Sequence, residues 1–90
     1  MVYGAGAAGI QLAAALRQAS EARPVFFIDD NPTLHGLMVA GLPVYGPDKL
    51  GKLISVRGIE QILLAVPSMT KERRDEVIAK LGAYDVEVRV

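Results

Sequence analysis

The sequence predicts an α/β domain of three layers, with a parallel sheet of about five strands in the order 3-2-1-4-5 and helices on both faces. Short apolar runs alternate with helix-forming segments from one end of the chain to the other. The first of these runs is followed at once by a glycine cluster that opens a helix. The chain has 90 residues, 51% of them hydrophobic, which supplies one core and one domain.

Residues 1–3 form a short apolar strand leading into the glycines. Residues 7–19 read as a helix, because alanine costs least in a helix and Ala8, Leu12, Ala15, Leu16 and Ala19 share one face. Residues 25–28 are β-branched and aromatic, set between Pro24 and the turn-forming Asp29-Asp30-Asn31-Pro32. That pattern is a strand buried on both faces. Residues 38–45 are a weaker extended segment, interrupted by Gly41 and Pro43, and so belong at a sheet edge.

Pro47 and Asp48 open a second helix through Leu50, Leu53 and Ile54, which stops near Gly58. Residues 62–66 are the most apolar strand. Ser68 or Thr70 caps a third helix, with Val77, Ile78 and Leu81 facing inward and Gly82 as its stop. Residues 86–90 make the last strand. Only three residues precede the glycines, where a central parallel strand runs to about five or six. With a strand also at the other end, the chain reads as a domain excised from a longer protein.

Composition excludes several functions. Ten basic and ten acidic side chains give a net charge of zero. With no basic block, the chain is not expected to bind nucleic acid or an anionic membrane through charge. The absence of cysteine excludes disulfides, thiolate metal sites and cysteine nucleophiles, and a single histidine leaves little scope for zinc. No apolar run reaches the roughly 18–20 residues of a membrane span, and no signal-peptide pattern is present.

The strongest site feature is Gly4-Ala5-Gly6-Ala7-Ala8-Gly9, a G-x-G-x-x-G between a strand and a helix. Gly4 permits the tight turn, Gly6 lets a pyrophosphate approach the backbone, and Gly9 lets the helix pack closely on the strand. Ala7 and Ala8 then begin a helix whose free N–H groups favour phosphate. The same glycines would also serve a strand-to-helix turn without a ligand. Asp29 stands twenty residues beyond Gly9, at the end of the second strand, where a carboxylate accepts the hydroxyls of an adenosine ribose. Asp30 follows it, and with no arginine near, a 2′-phosphate would face two negative charges. Both acids also suit plain turn chemistry. Pro67 and Ser68 follow the fourth strand, where the strand order reverses and ligands bind; Ser68 serves equally as a helix cap.

Other patterns carry less. Tyr45 and Lys49 match the Tyr-x-x-x-Lys spacing of short-chain dehydrogenases, but Gly46 and Pro47 separate them into a strand end and a helix. His35 lies in a loop near the adenosine end and reads as a surface histidine. The run from Lys71 to Glu76 mixes charges on one helix and reads as a solvated face, with Glu76 and Lys80 at the favourable i,i+4 spacing.

The segments VYGAGAAGIQLAAALR (2–17), FIDDNPTLHGLMVAGLPVYG (27–46) and GIEQILLAVPSMTKERRDEVI (58–78) together resemble one family. They are similar to the cytoplasmic, CoA-binding-like Rossmann domain that precedes the catalytic domain in CapD-like, membrane-associated nucleotide-sugar epimerases and dehydratases of bacterial surface-polysaccharide biosynthesis. FIDD-x-P-x-x-H-G followed by G-x-P-V-Y-G carries the resemblance more specifically than the glycines do. The resemblance implies a cytoplasmic domain of an inner-membrane parent, placed between membrane spans and a catalytic domain. By position it makes Gly4, Gly6 and Gly9 the phosphate loop and Asp29 the ribose contact. Related domains also occur in polyprenol-phosphate sugar transferases.

Together the residues and the resemblance lead to a domain that binds an adenine-containing nucleotide. NAD(H) is the first expectation, with CoA or a nucleotide sugar as alternatives. The chain is not expected to be catalytic alone. A regulatory sensor and a non-binding scaffold or dimerisation domain, including a homo-oligomer, are the rival roles.

Overall fold

The computed structural model describes residues 1–19, 23–67 and 69–89. Within them six strands and three α-helices follow in the order β1 (Val2–Tyr3), α1 (Ala7–Ala19), β2 (Phe27–Ile28), β3 (Met38–Val39), β4 (Leu42–Tyr45), α2 (Leu50–Arg57), β5 (Gln61–Leu64), α3 (Lys71–Leu81) and β6 (Glu87–Arg89). The sheet order is β3-β4-β2-β1-β5-β6. Val2 pairs with Phe27 on one side and Leu63 on the other, both parallel, so the first apolar run is the centre of the sheet.

The expected order is kept except at one edge, where the third strand is two strands rather than one. β3 and β4 form an antiparallel hairpin with Val39 opposite Leu42. Its two-residue turn has positive φ at both positions, 49° at Ala40 and 79° at Gly41. Those angles match the right-handed twist of hairpin strands, at some steric cost to Ala40. The sheet therefore has six strands, all parallel except β3.

Side chains alternate across this sheet with a period of two. Tyr3, Phe26, Ile28, Ile62 and Leu64 pack with Leu50 of α2 and Val77 and Leu81 of α3 on one face. Val2, Phe27 and Val44 pack on the other, against Ala13 of α1. Phe26, Phe27 and Ile28 are fully buried; at about 1.5–3 kcal/mol for each such side chain, this one segment anchors both layers.

The packed stripe of α1 differs from the expected one. Gly9 and Ala13 are buried and Leu12 and Leu16 half-buried, whereas Ala15 and Ala19 are exposed. Gly9 has no side chain to hold the helix off the sheet, so the line of closest approach runs through Gly9 and Ala13. In an alanine-rich helix, periodicity alone does not reveal that line.

α2 is entered through a single 3-10 turn, Pro47–Lys49, and ends at Gly58 in the left-handed conformation, φ 64°. The Thr70 hydroxyl accepts the Arg73 N–H at 3.2 Å and caps α3, whose Val77 and Leu81 are buried and Ile78 half-buried. Ser68, the alternative cap, lies outside the described residues, as does Val90. No helix among the described residues is long and apolar enough to cross a membrane.

Candidate functional site

Three segments meet at the carboxyl ends of the central strands: the glycine loop after β1, the Asp29–Asn31 turn after β2, and residues 65–67 after β5. Each glycine of the loop has a different reason to be there. Gly4 has φ +117°, and a Cβ on it would come within 2.5 Å of the Ala65 carbonyl oxygen. A Cβ at Gly9 would lie 1.8 Å from the Gly4 carbonyl oxygen. Gly6 is exposed, has no positive φ, and its Cβ would meet no atom of the described residues within 4 Å. It is the only glycine of the chain with neither a crowded Cβ position nor a positive φ. Ala7 and Ala8 form the first turn of α1, where N–H groups have no intrahelical acceptor.

Asp29 is half-buried and turned toward this loop. Its Oδ2 accepts the Ala5 N–H at 2.8 Å and its Oδ1 accepts the Asn31 N–H at 2.8 Å. It is at once a turn residue and a brace for the glycine loop. Each oxygen keeps acceptor capacity for a further donor.

Asp30 points the other way. Its Oδ1 accepts the Tyr3 hydroxyl at 2.5 Å, and its Oδ2 accepts from Arg73 Nη2 at 3.2 Å. Two expectations are corrected here. An arginine does lie beside the acidic pair, brought by α3 from forty-three residues away. The charged run of α3 is also not simply a solvated face, because Arg73 bridges Asp30 and Glu76. The mixed-charge pattern gave no sign of which arginine would turn toward the sheet.

Burial, and then the Asp30 carboxylate, push the Tyr3 hydroxyl well above the usual tyrosine range. The unfolded chain releases this proton near pH 10 while the folded one holds it, so stability falls as pH rises above about 10. Tyr3→Phe is expected to make that alkaline loss shallower, read as thermal midpoint against pH. Equal slopes in both proteins would mean that another group sets the alkaline limit.

His35 is not a bland surface residue. It is half-buried, donates from Nε2 to the Asp29 carbonyl oxygen at 2.6 Å, and packs on Gly46, where a Cβ would come within 2.7 Å of its ring. It fixes the turn carrying both acids. Tyr45 stacks edge-on against Phe26, with centroids 5.6 Å apart, and Lys49 ends the separate 3-10 turn, so the two do not share a helix.

Between the start of α1, the end of β5 with the segment that follows it, and α3 lies a cleft of about 340 Å³. Ala8, Ala65, Pro67, Met69 and Arg74 line it. Pro67 is among these, Ser68 lies outside the described residues, and Arg74 reaches the cleft from the mixed-charge run of α3. A second, more apolar cavity of about 350 Å³ lies between Tyr3, Leu50 and Tyr84. Among the described residues no three His, Asp or Glu side chains gather as a metal-ligand set.

A parallel sheet that reverses at its first strand, a glycine loop opening a helix there, and an acid ending the next strand define a Rossmann-like domain. No protein-family model and no curated protein matches the chain. Among solved structures, UDP-D-quinovosamine 4-dehydrogenase from Vibrio fischeri matches with a TM-score of 0.93 and 42% identity, over 97% of this chain and 71% of that one. The chain belongs to that protein's family. RSP, a Rex-family repressor, matches with a TM-score of 0.78 at 18% identity, and its complex with β-NADH with 0.76 at 19%. This second likeness is one of fold, and the chain spans about half the length of RSP (50% and 49%).

Proposed function

We propose that this domain binds an NAD(H)-type dinucleotide over its glycine loop and serves as the nucleotide-binding domain of a nucleotide-sugar-modifying protein. The observation that carries this reading is Gly6. Its neighbours Gly4 and Gly9 are demanded by the fold, whereas nothing among the described residues demands a missing side chain at position 6. A ligand that needs the backbone bare accounts for it. The Gly6, Ala7 and Ala8 backbone would hold the pyrophosphate, and Asp29 the adenosine ribose beside it. A bound nicotinamide would supply hydride transfer.

The 42% identical relative is a dehydrogenase of a UDP-sugar, which supports the nucleotide-sugar setting. Within it, the CapD-like epimerases and dehydratases of surface-polysaccharide biosynthesis are the family we favour, on the FIDD-x-P-x-x-H-G run. In such a parent the domain is cytoplasmic, beside a catalytic domain and membrane spans, and in a homo-oligomer where the parent forms one. A second reading puts a UDP-sugar itself over the same loop, favoured by that relative's substrate; CoA is the third candidate.

Calorimetric titration of the chain with NADH, NAD, CoA and a UDP-sugar tests all of this. NADH or NAD should bind best, and adding the UDP-sugar to the NAD sample should generate no NADH absorbance. Preference for the UDP-sugar would establish the second reading, and silence with all four would leave a scaffold. NADP should bind more weakly than NAD, because Asp29 faces the ribose site and Arg73 is already held by Asp30 and Glu76. Asp29→Ala should weaken NAD by about tenfold or more, the worth of a charged hydrogen bond of roughly 1.5–3 kcal/mol. Unchanged affinity would reduce Asp29 to a brace for the turn.

A further inference from the structure

We propose that Arg74 neutralises the ligand's diphosphate, so that the site selects nucleotides carrying two linked phosphates. This rests on the nucleotide-binding reading above. Arg73 and Arg74 are successive residues of α3 and project roughly 100° apart. Arg73 serves the fold, through its bonds to Asp30 and Glu76. Arg74 instead lines the cleft between α1 and the end of β5, together with Ala8 of the glycine-loop helix. It is half-buried, and among the described residues it forms no ion pair.

The residue is partly buried along the apolar wall of the cleft, and no ion pair among the described residues accounts for where its guanidinium lies. The rest of the lining cannot neutralise it either. Leu64, Val66, Pro67 and Met69 are apolar, and no acid is among the described residues that line the cleft. The anion that fits must come from outside. A guanidinium fork matches two oxygens of a phosphate group, which an ammonium does not. At about 340 Å³ the cleft has room for a phosphate together with part of the ribose or sugar it carries. One phosphate would then lie over the loop at Gly6 and the next against Arg74. Dinucleotides and nucleotide sugars share this chemistry.

The test is calorimetry on the 90-residue chain with AMP, ADP, NADH and UDP-glucose. The unmodified chain should bind ADP about tenfold or more tightly than AMP, as expected for one charge-assisted hydrogen-bonded pair. Arg74→Gln should abolish that difference while leaving the AMP affinity and the thermal midpoint in place. Arg74→Lys should retain part of it, and Arg73→Gln all of it. Whichever of NADH and UDP-glucose binds the unmodified chain and loses affinity in Arg74→Gln identifies the source of the diphosphate. An Arg74→Gln protein that binds ADP and AMP with the original ratio overturns the assignment. An unmodified chain that binds no nucleotide overturns the nucleotide-binding reading itself, and this inference with it.

Discussion

Gly6→Val is expected to abolish nucleotide binding and leave the fold intact. The new side chain would enter open space, since no atom of the described residues lies within 4 Å of its Cβ and the backbone there needs no left-handed angle. Replacing a glycine in such a position narrows the unfolded ensemble, worth up to about 1 kcal/mol in favour of the folded state. The same side chain stands where a pyrophosphate must approach the N–H groups opening α1. Losing two charge-assisted hydrogen bonds there should weaken binding by about a hundredfold or more. Calorimetry and a thermal melt read the two effects separately. Undiminished affinity in a folded Gly6→Val protein would remove the phosphate loop from the site.

Gly9→Val is expected to do the opposite and collapse the fold. Its Cβ would lie 1.8 Å from the carbonyl oxygen of Gly4 and 3.6 Å from the Phe27 ring, so the obstacle is backbone and a fully buried aromatic. Neither yields without moving α1 off β1 or opening the turn at Gly4. Ordinary overpacking costs about 1–3 kcal/mol, and a direct backbone collision exceeds that range. In a domain of this size each kcal/mol lowers the midpoint by about 4–8 °C. We therefore expect a drop of more than about 10 °C, or a chain that does not fold. Gly9→Ala carries the same offending atom and should fall in the same direction. An unchanged midpoint in the alanine variant would mean that the helix stands farther from the strand than the structure places it.

Much of this architecture is legible in the residues. The apolar runs, Pro24 and Pro47, and the stops at Gly58 and Gly82 mark out strands and helices, and their alternation implies the parallel order. The hairpin at residues 38–45 was hidden because Ala40-Gly41 is not among the usual Asn-Gly or Asp-Gly turn pairs. At the site, the glycine pattern and Asp29 are visible in the chain because their roles depend on local spacing. The opposite orientations of Asp29 and Asp30 are not, since they depend on Ala5 on one side and Tyr3 and Arg73 on the other. Arg73 and Arg74 look alike in a mixed-charge run, and only the packing of α3 separates them. His35 was undervalued because its partner is a backbone carbonyl, which no side-chain motif announces.

The strand order has a consequence for how the domain assembles. β1 belongs to two ladders, one made with β2 early in the chain and one with β5 much later. Residues 1–45 hold β1 to β4, α1, and the bond from Ala5 to Asp29, so this half-sheet can close around the glycine loop on its own pairings. The second ladder requires a far longer chain closure, which parallel pairing makes slow. The proposed phosphate loop is thus built within the first half, while Arg74 arrives only when α3 docks. The exposed turn at Gly58, which joins α2 to β5, is the natural place to divide the chain into two complementing fragments.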